Sequence, residues 1–200
     1  MPATELNSFH NSLKNLDYTR KKMERLFSER RIVKRDLESV YESLFLRAVT
    51  SFESFLEALF IAILREKVTY TGARVSVRIK TTPKGAIWDI LLQRDQYLTW
   101  LPYNNTEDRA KLYLKDGRPF SDLTDGDRST IMTITTIRNA IAHKSEHAMG
   151  QFRNKVIGSM ALLPQERSPA GFLRSPVRGG QQNRFQVYVA ELGRVAAALT

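Results

Sequence analysis

From about Arg35 to Lys67 the chain carries one long apolar stripe at helical spacing: Leu37, Val40, Tyr41, Leu44, Phe45, Ala48, Val49, Phe52, Phe55, Leu56, Leu59, Phe60, Ile63 and Leu64. Apolar residues recurring every three and four positions define one buried helix face, and a stripe that widens toward its C-terminal half suits the centre of a helical bundle. The aromatics between Phe52 and Phe60 follow that same spacing, so they are read as core packing rather than as an aromatic ligand box. Upstream, Leu6, Phe9, Leu13, Leu16, Met23, Leu26 and Phe27 predict a first helix with Thr4 as its cap. The expected fold class is all-α: a helical bundle with two long N-terminal helices, a short extended insertion, a motif helix and a C-terminal helix.

The insertion covers about residues 70–103. Val75, Val77 and Ile79 alternate there with polar residues, which predicts a short strand or extended loop, and Pro83-Lys84-Gly85 precedes a brief helix around Ile87 to Gln93. Asn105 or Thr106 opens a short helix to Lys115, Asp116-Gly117-Arg118-Pro119 turns the chain, and Asp122 to Asp127 supplies caps for the helix that follows. That acidic run lacks the closing glutamate of a calcium loop. Residues 164–184, rich in Pro, Gly and Arg, are expected to form a basic surface loop, and a last helix runs from about Arg184 to Leu199.

Two hundred residues with 42% hydrophobic content suffice for one buried core, and no shift in composition divides the chain, so 1–200 is expected to be a single domain. The absence of cysteine excludes disulfides, thiolate metal sites and thiol nucleophiles. The opening residues show no basic region followed by an apolar run, and the uncharged stretch Ala58 to Leu64 is too short to cross a bilayer, so no membrane attachment and a cytoplasmic location are expected. Lys and Arg total 31 against 21 Asp and Glu, a formal charge of +10, which concentrates polyanions near the surface without identifying them. The densest basic cluster, Arg20 to Arg35, is interrupted by Glu24 and Glu29 and is read as an ion-paired helix face.

The helix from roughly Asp125 to Ala142 carries the chemistry. At about 100° per residue, Ile131, Ile134, Ile137 and Ile141 share one buried arc. Arg138 falls at its edge, Thr135 and Ala142 just beyond, and Asn139 and His143 on the adjacent flank one turn apart. Taken singly, the histidine reads as a C-terminal cap and the arginine as a snorkelling side chain. Together, Arg138-Asn139-Ala140-Ile141-Ala142-His143 resembles the Arg-polar-x-x-x-His signature of the HEPN superfamily, all-helical domains that include ribonucleases, toxin modules and phage-defence proteins. The Phe52-Glu53-Ser54-Phe55-Leu56 helix and the helix order also resemble that superfamily, its RiboL-PSP-like branch in particular. The resemblance implies Arg138, Asn139 and His143 as catalytic residues. Some members continue past the histidine with a spaced tyrosine that a partner enzyme modifies; here Lys144-Ser145 follow and that tyrosine is absent.

Cleavage of RNA through its own 2′-hydroxyl needs a base, an acid and positive charge on the phosphorane-like transition state. Histidine suits proton transfer near neutrality, and arginine presents a permanently charged fork to phosphate oxygens. One histidine cannot be both acid and base in one step; the resemblance implies a homodimer in which two motif helices share one cleft. The expected function is a metal-independent endoribonuclease with no cofactor, acting on RNA, with an antitoxin as a further partner and no DNA specificity inferred. Lys144, Arg174, Arg178 and Arg184 are the candidate RNA-binding residues. The alternative is a non-catalytic RNA- or protein-binding module. His143 and His147, four apart, would suit a metal on one helix face, but no third ligand is identifiable and no metal site is assigned; His10 has no partner and is read as surface or packing.

Overall fold

A computed structural model describes residues 3–69, 71–78, 84–92 and 98–200. Within them lie eight α-helices: α1 (Ala3–Ser28), α2 (Lys34–Glu66), α3 (Lys84–Leu92), α4 (Asn104–Tyr113), α5 (Asp125–His143), α6 (Glu146–Gln151), α7 (Pro169–Arg174) and α8 (Arg184–Ala198). Only isolated β-bridges join the extended pieces, Val68 with Arg74, Val77 with Leu114 and Pro176 with Asn183, so the chain is an all-α bundle. The alternating pattern at Val75 and Val77 thus gives extended arms rather than a strand ladder; Tyr70, Ile79, Lys80 and Gln93, on which the same expectations fell, lie outside the described residues. Thr4 lies inside the first turn of α1 rather than at its cap.

α2 is the axis of the bundle. Its 33 residues extend about 50 Å at 1.5 Å per residue, and α1, α3, α5, α7 and α8 all pack against it. Every stripe residue from Leu37 to Leu64 is buried except Val40, which packs partly exposed against the core. The helix ends where Lys67 turns left-handed at φ 56° and its N–H returns to the Ile63 carbonyl. On the C-terminal half of α2, Phe60 is fully buried among Trp100 (5.3 Å between ring centroids), Tyr113 (6.4 Å) and Phe120 (5.3 Å). Trp100 Nε1 donates to Glu57 Oε2 at 3.0 Å, which gives the buried indole its one required acceptor. The insertion is therefore bolted to the bundle by aromatic packing.

On the N-terminal half of α2 the same axis carries a polar cluster. The Tyr41 ring is buried edge-on against Phe185 at 5.6 Å, and its hydroxyl donates to Glu24 Oε1 at 2.8 Å and accepts from Asn183 Nδ2 at 2.9 Å. Arg174 donates to both Glu24 oxygens, at 2.9 and 3.1 Å, and lies over the Phe27 ring at 4.7 Å. Asn183 also caps α8. α1, α2 and α7 meet on this one carboxylate, and Asn183 ties the start of α8 to it through the Tyr41 hydroxyl.

Burial pushes the Glu24 carboxyl up, but the hydrogen bonds from Arg174 and Tyr41 and the nearby arginine charges outweigh it and hold the group below the ordinary glutamate value of 4.5. Burial and the adjacent carboxylate push the Tyr41 hydroxyl up to about 12. A depressed carboxylate contributes stability that is fully present above 4.5 and lost as the pH falls through its folded value. Glu24→Gln is expected to weaken that acid dependence: between neutral pH and well below 4.5, the variant should lose less stability than wild type in urea unfolding followed by circular dichroism. Parallel losses in the two proteins would show that Glu24 does not carry it.

Residues 164–184, expected as a basic surface loop, are exposed on both flanks but carry a short helix, α7, that packs into the bundle. Ser168 caps α7 by accepting the Gly171 N–H, and Pro169 stands at a helix start, where its missing N–H costs nothing. Phe172 and Leu173 are fully buried, and a Cβ at Gly171 would collide with the Gln165 carbonyl of the preceding 3₁₀ turn. Proline and glycine mark a helix start and a close approach here, not a break. Pro164, Gln165, Arg167 and Ser168 before α7 and residues 178–182 around Gly179, at φ 76°, remain exposed. The basic run from Arg20 to Arg35 behaves as expected: Arg20 and Lys21 pair with Asp17, Arg25 and Arg31 with Glu29, and Lys34 with Glu38.

Candidate active site

α5 starts at Thr124, whose Oγ1 accepts the Asp127 N–H at 3.1 Å while Asp127 Oδ2 accepts from the Thr124 N–H at 3.0 Å. This reciprocal cap satisfies two otherwise open donors, and Arg194 of α8 closes on the same Asp127 carboxylate. Thr124→Ala is expected to cost about 1 kcal/mol of stability, measured as a shift in the urea midpoint; no shift would mean that Arg194 and Asp127 hold this end alone. Ile131, Ile134, Ile137 and Ile141 are buried, which fixes the rotation of α5. Thr135 is buried as well, because its hydroxyl donates to the Ile131 carbonyl at 2.8 Å and leaves no open donor.

Fixed in this way, α5 presents Met132, Thr136, Asn139 and His143 along one flank, at spacings of four, three and four. The helix stops at Lys144, left-handed at φ 48°, and Ser145 caps α6 by accepting the Ala148 N–H at 3.2 Å. α6 runs on into a π turn, Phe152–Ile157, anchored by the buried Phe152, Val156 and Ile157. His147, Gln151 and Lys155, four apart, face the α5 flank across a depression of about 460 Å³, with Pro102 also in its wall. Among the described residues the walls hold two imidazoles, two amides, hydroxyls and an ammonium, and no carboxylate. Such a lining is neutral to positive and suits an anion.

Arg138 stands beside this depression rather than in its wall. Its Nη1 donates to Asn139 Oδ1 at 3.0 Å, and Nη2 is 3.9 Å from Glu53 Oε2, beyond hydrogen-bond reach. Burial raises the Glu53 carboxyl, and Arg138 opposes that shift. The arginine side chain is 34% exposed. Arg138 and Asn139 are thus brought together, with Asn139 and His143 sharing the depression. Among the described residues, no protein group hydrogen-bonds or ion-pairs with the side chains of His143, His147 or Lys155.

The four candidate RNA-binding residues do not gather there. Lys144 adjoins His143 but directs its ammonium to Glu42 at 3.4 Å. Arg174, 29% exposed, is committed to Glu24 and lies over the Phe27 ring, away from the depression. Arg184 lies over the Phe172 ring at 4.6 Å and donates to Ser175 Oγ. Arg178 and Arg184 border a separate depression with Tyr188 and Val187. His10 rests against the Gly193 carbonyl at 3.2 Å, a packing position between α1 and α8. Among the described residues no three His, Cys, Asp or Glu side chains gather as metal ligands, and no helix is long and apolar enough to cross a membrane. Gln151 and Lys155 were not legible as site residues; the only signal was the four-residue step from His147 through Gln151 to Lys155.

The fold and this depression define an all-α helical bundle with a two-histidine surface site at the end of α5. No protein-family model matches the chain, and no curated protein or solved structure matches it.

Proposed function

We propose that this chain is a HEPN-type endoribonuclease that cleaves RNA by attack of the 2′-hydroxyl, without a metal. The observation that carries the reading is the depression in which Asn139 and His143 stand with a second imidazole and Lys155, with the Arg138 guanidinium hydrogen-bonded to Asn139 at its margin. The imidazoles move protons, and Arg138 and Lys155 stabilise the charge that builds on the non-bridging phosphate oxygens. The solvent-open lining admits a polymer, and the formal charge of +10 draws a polyanion toward it. A second copy of the chain laid along the same flank of α5 completes the groove with a second Arg138. Met132, 61% exposed, and the exposed Ala142 offer the apolar, slim surface for that contact. A toxin or phage-defence setting, with an antitoxin as the silencing partner, is the biological context of this reading.

In EDTA, wild-type chain is expected to convert single-stranded RNA to fragments ending in a 2′,3′-cyclic phosphate and a 5′-hydroxyl. Arg138→Ala should cut roughly 100-fold more slowly, with Arg138→Lys between the two. Undiminished cleavage by Arg138→Ala, or none by wild type, would overturn the reading. The rival reading is a non-catalytic module for RNA or protein. It draws on one observation, that no side chain among the described residues hydrogen-bonds either imidazole, and it predicts RNA that is shifted on a gel but intact.

A further inference from the structure

Cleavage through the 2′-hydroxyl asks for two proton-transfer groups at one phosphodiester. His143 sits in the last turn of α5 and His147 in the first turn of α6, and the left-handed turn at Lys144 folds the second helix back so that both side chains line one depression. Both residues are exposed. On a continuous helix they would be neighbours on one face; here they stand on two walls, with the space between them open to a ligand. Resting on the nuclease reading above, we infer that His143 and His147 of the same chain are the acid–base pair, so that each subunit holds both proton-transfer groups of its own site.

His143, one turn beyond Asn139 on α5, is assigned as the proton donor and His147 on the facing wall as the acceptor, a direction that the sulfur-ester substrate below tests. His147 takes the proton of the 2′-hydroxyl as O2′ bonds to phosphorus. The P–O5′ bond then breaks, and O5′ leaves with the proton of His143. The products are a 2′,3′-cyclic phosphate and a 5′-hydroxyl, and the two imidazoles, one protonated and one neutral, exchange their proton through water. Lys155 is the cation in the same walls for the non-bridging oxygens. Glu42 is drawn to Lys144, and neither it nor Glu146 or Glu53 is in the lining.

The test pairs two variants with two substrates: an RNA dinucleotide, and the same dinucleotide with sulfur in place of O5′. A thiolate leaves without a proton, so loss of the acid is silent on the second substrate. His147→Ala is expected to lose about 100-fold or more on both substrates, and His143→Ala to lose that on the oxygen ester yet come within about 10-fold of wild type on the sulfur ester. Both positions are exposed, and unchanged thermal melts will show that the losses are not unfolding. Wild-type rates from His147→Ala, with His143→Ala inactive, would overturn the intrasubunit pair and leave the nuclease reading standing, the second imidazole then coming from a partner subunit. Sulfur rescue of His147→Ala instead of His143→Ala would overturn the assigned direction. Failure of wild type to cleave either substrate would remove both.

Discussion

His143→Ala is expected to reduce RNA cleavage by roughly 10²–10⁴-fold while leaving the unfolding midpoint where it was. The magnitude is that of a positioned proton-transfer group. The unchanged stability follows from the surroundings: the residue is exposed, lies in the last turn of α5 and has no protein hydrogen-bond partner among the described residues. The last carbonyls of α5 keep their backbone closure, because the Lys144 N–H returns to Ala140 whatever side chain stands at 143. A combined assay of cleavage and thermal unfolding separates the outcomes. Activity within a few-fold of wild type would end the nuclease reading; a large fall in stability would show that the imidazole is a structural cap after all.

Phe60→Ala is expected to destabilise the fold by about 3–5 kcal/mol, the usual cost of emptying a large core site. Phe60 touches three rings, Trp100, Tyr113 and Phe120, each belonging to a segment beyond the end of α2. Deleting it leaves a cavity whose walls come from different elements and cannot all close in. Trp100 would be expected to report the loss directly, since its indole is held by both Phe60 and Glu57. For a chain of this size the loss corresponds to a fall in Tm of roughly 6–20 °C. Urea unfolding followed by tryptophan fluorescence would measure it, and a change below about 1 kcal/mol would mean that the three rings do not share one packed site.

Much of the bundle was legible because periodicity reports burial directly. The stripe between Leu37 and Leu64 placed α2 within a residue of its observed ends, and the four isoleucines set the rotation of α5 correctly. Contacts made through space were not legible. Nothing local tells that Phe60 meets Phe120, or that Arg174 crosses to Glu24 from 150 residues away. For the same reason Arg174 and Arg184 looked like surface cations: an arginine's neighbours on other helices decide whether it faces solvent, and here a carboxylate and two phenyl rings claim both. Proline and glycine misled at 164–184, because the same residues that end helices also open them. In the candidate site, Arg138, Asn139 and His143 could be read from one helix, whereas Gln151 and Lys155 enter only because the chain doubles back at Lys144.

The meeting of four helices around Tyr41 and Glu24 has a consequence for how the chain is made. Tyr41 is translated 142 residues before Asn183, which satisfies its hydroxyl, and Phe185, which covers the Tyr41 and Phe45 rings, follows two residues later still. Until those residues are made, α2 holds an uncovered aromatic face around Tyr41 and Phe45, a surface that a chaperone can shield until α8 arrives.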